Sequence, residues 1–488
     1  MKRGFLKTAK QRPLGPSVAA TLGVSSPDAA ASDTPAPPME YRRMPYEKLD
    51  RKIELPDEPK REFLKMIPGE DQPYSIRYTR VPPYETNVEP TTECMFKTGT
   101  KEMLYSDPNF PNPLPPQPSP PAFRVAPSPG KGIGLFAERA LKQGEAVLVE
   151  RPLLVTPVGS DLESPPEYTP AQHNQHVLNE LERGVEMLLS RMEEKHRAAF
   201  LELYNSHTDD GSGPLVGRIR TNAVGIGGLT PGDDELSGHY SATCEFISRI
   251  NHSCSPNTSP KFDKATFSFT LYATRDIPKD EELTFQFVDV TVSRLERNKA
   301  LRPYGFQCDC AACKNPASNR RRTSLGKMIP RISICDWALD DTLSDDWFLE
   351  KSRAVIEMLE TEGMEYVEYY YISVSAMMQL YICLGDAERT SEWAKRVQAI
   401  TWMYEKMVVQ FGHGDIPLAE LADPKSGACQ RHPLWRARVD RAPRLKSLDQ
   451  LAGPEGKRML EKLPPGSELE AKFLKQFALL LKEKKAAK

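Results

Sequence analysis

Cys308, Cys310 and Cys313 stand in C-x-C-x-x-C spacing. Three soft thiolates inside one tight turn suit tetrahedral zinc, with Zn–S near ~2.3 Å. A closed structural site needs a fourth ligand, and the sequence offers Cys254, inside Asn251-His252-Ser253-Cys254-Ser255-Pro256-Asn257. A shared ion would pin segments far apart in the chain against each other. The alternative is a set of unrelated buried or free thiols. Cys94, Cys244, Cys335, Cys383 and Cys429 have no such spacing and read as core residues or inert thiols.

Two further groups carry potential chemistry. Lys131-Gly132-Ile133-Gly134 places two glycines where a backbone can approach a ligand closely, because neither has a Cβ. Its plainer reading is a hairpin glycine pair. Phe285, Phe287, Tyr304 and Phe306 could build a narrow apolar channel.

Short strands would have to position these residues. Ala146–Val149 and Leu153–Val155 are β-like runs bounded by Gly144 and Pro157, and similar runs cover Phe267–Ala273 and Glu282–Val288. Between the two groups the apolar period turns helical. From Ala171 to His207, Val177, Leu178, Leu181, Val185, Leu188, Leu189 and Met192 fall on one face. Residues 208–243 read as loop and turn, so a helical insert is expected over about 160–243.

Residues 1–40 form a basic, Ala-Ser-Pro-rich leader with too little apolar surface to offset ordering entropy. Residues 41–121 read as an extended Pro-rich arm, ending in a polyproline-type spacer over 108–121. Residues 319–325 form a basic joint, and 326–488 read as an all-helical, weakly tetratricopeptide-like C-terminal domain. Helices are expected over Trp347–Met364, Tyr366–Leu384, Glu388–Phe411 and Ser467–Lys482, with Gly385-Asp386 pairing a helix stop with an N-cap.

Composition narrows the class. The chain has 488 residues, with 65 basic and 67 acidic side chains for a net charge of −2. That balance argues against wholesale nucleic-acid binding, leaving contact through chromatin as the only route. No apolar run approaches the ~20 residues of a membrane helix. Nine cysteines, an odd and thinly spread number, suit a reducing compartment. Cytoplasm or nucleus is therefore expected, with a mitochondrial leader as the minor alternative. A monomer is expected.

Four segments together carry a resemblance. Gly132-Ile133-Gly134-Leu135-Phe136-Ala137, Asn251-His252-Ser253-Cys254-Ser255-Pro256-Asn257, Glu282-Leu283-Thr284-Phe285-Gln286-Phe287 and the cysteine tail stand in the order of the G-x-G, N-H-S-C-x-P-N, E-L-T-x-D-Y and post-SET signatures. The stretch from about Ala122 to Pro316 resembles the SET-domain protein-lysine methyltransferases. The insert, the use of Cys254 and the helical C-terminal third resemble the SET-and-MYND branch. Residues 150–243 hold no cysteine, so the MYND finger is absent.

The resemblance implies an α+β fold: a SET-domain β-fold of short strands over 122–318, with an inserted helical subdomain, a zinc-binding post-SET tail at about 304–316 and an all-helical C-terminal domain. It implies methyl transfer from S-adenosyl-L-methionine to a lysine of a histone or non-histone protein. Lys131, Gly132, Ile133, Gly134, Asn222, Asn251, His252 and Phe306 would hold the cofactor. Cys254, Cys308, Cys310 and Cys313 would hold Zn2+. Tyr304 would orient the lysine amine. Phe287 stands where the family places its catalytic tyrosine, and Gln286 where it places an acid. The loss of that hydroxyl keeps a second reading open: a catalytically weak or inactive SET module that binds proteins as a scaffold.

Overall fold

A computed structural model of the chain describes residues 42–43, 52–55, 76–83, 90–160, 165–231, 240–340, 342–404, 416–440 and 474. They fall in two compact units divided between Asn319 and Arg320. The leader lies outside the described residues, as does all of the expected terminal helix except Leu474.

In the first unit, β-branched and aromatic residues start a sheet before the polyproline stretch. β1 (Ile76–Val81) pairs antiparallel with β2 (Thr92–Lys97), and α1 (Thr100–Tyr105) follows. The expected arm over 41–121 is therefore corrected: part of it is sheet, because β2 gains a parallel partner in the strand Leu154–Pro157, about sixty residues on in the chain. Nor is 108–121 a free spacer. It carries no strand or helix, yet the Gln117 amide bonds both the carbonyl and the N–H of Val149.

β3 (Phe123–Ser128) and β4 (Gly132–Ala137) form a hairpin, followed by β5 (Ala146–Glu150) and β6 (Leu154–Pro157). The insert is α2 (Pro170–Arg191), α3 (Glu194–Leu201) and α4 (Pro214–Asn222). The expected single helical run thus breaks at Met192, and α4 occupies a stretch expected to be loop. α2 starts with Pro170 and a capping box between Thr169 and Gln172. Its predicted apolar face, Val177 through Met192, packs with Leu154, Phe200, Val216 and Ile219 in one buried cluster.

β7 (Val224–Ile226) and β8 (Tyr240–Thr243) close the five-stranded sheet, in the order β1-β2-β6-β8-β7. β9 (Asn251–His252), β10 (Thr258–Asp263), β11 (Ser268–Ala273) and β12 (Glu282–Phe285) complete two smaller sheets, β9-β12-β4-β3 and β10-β11-β5. β12 stops at Phe285, short of the expected Val288. α5 (Arg294–Leu301), a single turn at Arg302–Tyr304, α6 (Ala311–Lys314) and α7 (Pro316–Met328) follow. The basic joint is thereby corrected to the interior of a helix. Its charge did not disclose that Arg322 is buried and paired with buried Glu362, Nε to Oε2 at 2.8 Å.

Only helices occur as regular elements among the described residues of the second unit beyond α7: α8 (Ile334–Leu339), α9 (Asp345–Thr361), α10 (Glu368–Leu384), α11 (Ala387–Ile400), a single turn at Thr401–Met403, and two more single turns, α12 (Leu418–Leu421) and α13 (Ala428–Arg431). α10 is buried nearly all round, between α9 and α11. Gly385 adopts φ +74° at its C-cap, and the Asp386 carboxylate accepts the Arg389 N–H at 3.0 Å to start α11. α11 ends at Ile400, and the remainder of the run expected to Phe411 lies largely outside the described residues.

Candidate functional site

Glu150 is a charge at the end of an otherwise apolar buried strand. Its carboxylate accepts the backbone N–H groups of Glu245, Phe246 and Ile247 at 2.5, 2.8 and 3.0 Å. Burial raises it to about 7, even though these amide bonds favour its charged form. The clamp opens the turn at Ile247–Arg249, which delivers Asn251 and His252 into β9.

β9 runs parallel to β12, Asn251 opposite Thr284 and His252 opposite Phe285, while β12 pairs antiparallel with β4. Asn257 holds the crossing. Its Nδ2 donates to Glu281 Oε1 and the Glu282 carbonyl, each at 2.9 Å, and its Oδ1 accepts the Thr284 N–H at 2.7 Å.

The glycine turn meets Asn251 through Glu282. One carboxylate oxygen accepts Asn251 Nδ2 at 2.6 Å, and the other pairs with Lys131 Nζ at 3.0 Å. Asn251 Nδ2 also lies 3.4 Å from the Ile133 carbonyl. Gly132 has φ +75°, a conformation most side chains resist. A Cβ at position 134 would stand 2.8 Å from Glu282 Oε1 and 3.0 Å from Asn251 Nδ2, so only glycine leaves this group undisturbed. Lys131, Gly132, Ile133, Gly134 and Asn251 are thus brought together. Glu282, given no role from the sequence, is the bridge; its signal was its place at the head of the E-L-T segment.

Asn222 is placed differently. Its Nδ2 donates to the Tyr204 and Arg218 carbonyls, both at 2.7 Å, and closes the end of α4. Only its backbone reaches the Asn251 turn, through Ser248 Oγ at 2.9 Å.

His252 Nδ1 accepts the Phe287 N–H at 3.0 Å, which leaves Nε2 to carry the proton toward Cys254 Sγ at 3.4 Å. Around it lie tilted and edge-on rings. Phe287 is 5.1 Å from Phe285, 5.2 Å from Tyr304 and 5.3 Å from His252, and Phe306 is 6.4 Å from Tyr304. Tyr304 is 1 % exposed, and its hydroxyl lies 3.4 Å from the Phe287 carbonyl. Gly305, at φ +68°, ends its turn and turns the chain toward the cysteine tail.

The sulfurs of Cys254, Cys308, Cys310 and Cys313 lie within 4.8 Å of one another. Cys254 is 3.9 Å from Cys308 and 3.5 Å from Cys313, far beyond a disulfide bond. Four sulfurs around a tetrahedral zinc would be about 3.8 Å apart, so the donors and their spacing fit a closed metal site. The thiols already polarise one another. Hydrogen bonds with Cys308, Cys310 and Cys313 push the Cys254 thiol up, while bonds from Cys254 and Cys308 lower that of Cys313.

The SET domain family matches residues 132–288, which contain the glycine turn, the Asn251 segment and β12. Histone-lysine N-methyltransferase set5 of Schizosaccharomyces pombe is 27 % identical over 291 residues, 58 % of this chain and 79 % of its own length. The SET domain and MYND-type zinc finger protein 6 of the same yeast is 40 % identical over 102 residues, 21 % of this chain and 20 % of its own. N-lysine methyltransferase SMYD2-B of Danio rerio is 28 % identical over 162 residues, 32 % of this chain and 36 % of its own. The chain thus spans most of the first relative's length, but only 20 % and 36 % of the other two. Residues 132–288 thus form a SET domain, and the chain is similar to set5 and to proteins of the SET-and-MYND branch.

Proposed function

We propose that the protein is an S-adenosyl-L-methionine-dependent protein-lysine N-methyltransferase acting on a histone or non-histone protein in the cytoplasm or nucleus. One observation carries the reading. Four distant segments, 131–134, 251–254, 282–287 and 304–313, meet around Glu282 and His252. The names of the matched methyltransferases support it.

The bound cofactor would supply an electrophilic methyl group. Lys131, Gly132, Ile133 and Gly134 would offer backbone to it, and the Asn251 side chain and His252 backbone would hold its polar end, with Phe306 beside its ring. Asn222 would act by supporting the Asn251 turn through Ser248. A lysine amine attacks only when neutral, against a reference pKa of ~10.4. The apolar wall of Phe285, Phe287 and Tyr304 disfavours its charged form. Alignment of amine and methyl would then supply most of the rate. Cys254, Cys308, Cys310 and Cys313 would hold zinc and so fix the segment carrying Tyr304.

Phe287 favours a second reading, a SET module that binds cofactor and protein without transfer. Purified protein incubated with methyl-labelled cofactor and a mixed lysate separates the two. Label on lysine supports the enzyme. Calorimetric cofactor binding with no incorporation supports the module.

A further inference from the structure

Arg297 sits on α5, whose start is set by a capping box between Ser293 and Glu296. Its side chain is fully buried, at 0 % exposure. Among the described residues no carboxylate lies within ion-pair distance of it. Nη1 donates to the Val292 carbonyl at 2.6 Å, and Nη2 lies 3.7 Å from Cys313 Sγ. Among the described residues, Nε is buried with no hydrogen-bond partner. A buried cation without a counter-charge is costly. The anionic group within reach is the sulfur cluster.

Zinc held by four thiolates leaves a net charge of about −2 on the cluster, and three of its four cysteines are buried. A guanidinium against one sulfur offsets part of that charge and draws electron density off the thiolate. We propose that Arg297 is the counter-charge of the four-cysteine site, a positioning residue outside the ligand set that tightens metal binding through Cys313. This rests on the zinc reading above. The plainer role, in which Arg297 only ties α5 to the Val292 carbonyl, leaves metal affinity and ligand electronics untouched.

The test uses the full-length chain as purified, with two readouts on wild type, Arg297→Met and Arg297→Lys. One is zinc transfer to a chromogenic chelator. The other is the thiolate-to-metal charge-transfer band after exchange of zinc for Co2+. Removing the charge should lower zinc affinity about 10- to 100-fold, the range for second-layer partners of metal ligands. It should also move the Co2+ band to longer wavelength, because Cys313 becomes more electron-rich. Arg297→Lys, which keeps the charge, should fall between. If Arg297→Met cannot be recovered folded, Arg297→Gln, a polar side chain without charge, carries the same readouts. Zinc affinity within twofold of wild type with an unmoved band overturns the proposal. Wild-type protein that holds neither zinc nor Co2+ instead sinks the zinc reading itself, so the two failures are told apart.

Discussion

Phe287→Tyr introduces the hydroxyl that the resemblance to SET-domain enzymes implies at this position, and the surroundings make its consequence calculable. The Phe287 backbone is held at both ends: its N–H donates to His252 Nδ1 at 3.0 Å, and its carbonyl faces the Tyr304 hydroxyl at 3.4 Å. The ring is 2 % exposed among Phe285, Tyr304 and His252. A new hydroxyl therefore enters with little freedom to relocate. If the ring edge faces the lysine channel, the hydroxyl finds the amine and contributes about 1.5–3 kcal/mol to a charged or polar centre. That is roughly ten- to 150-fold in rate, with folding stability nearly unchanged. If the edge faces closed core, the hydroxyl is buried without a partner and costs about 1–3 kcal/mol of stability. Methyl incorporation at saturating cofactor and a urea unfolding curve on the same preparation read both quantities. Lower stability with unchanged or abolished transfer would refute the assignment of these rings to a channel.

Asn251→Ala should abolish cofactor binding by titration calorimetry, since it deletes the group that Glu282 orients; unchanged affinity would end the cofactor assignment. Cys310→Ser should release zinc on metal analysis and expose Tyr304 to quenching, because the tail loses its staple. Asp210 tests the insert. Burial alone would raise its carboxyl, but the His207 bond at 2.5 Å and the Arg220 guanidinium at 2.9 Å hold it well below the usual range. Its folded value is depressed, so its stabilisation is complete above about pH 4 and is lost as pH falls further. Asp210→Asn should therefore cost about 3–5 kcal/mol near pH 7, as for a broken buried pair, and flatten the acid limb of the stability curve. An acid limb identical to wild type would show that the pair is idle.

Some of this was legible in one dimension because it depends on local spacing. The C-x-C-x-x-C turn, the paired glycines and the apolar face of α2 are properties of neighbouring residues, and side-chain types at fixed offsets report them directly. The Gly385-Asp386 punctuation was readable for the same reason. What escaped was whatever needs a partner from elsewhere in the chain. Ile76–Val81 and Thr92–Lys97 looked like arm until parallel pairing with Leu154–Pro157 made them sheet. Glu282, Glu150 and Arg297 are ordinary charged letters in sequence. Each acquires a role only where the fold removes water and presents one particular partner: Lys131 and Asn251, three successive amides, or a cysteine sulfur. Burial sets the cost of a charge and distance decides what offsets it, and the folded chain alone supplies both.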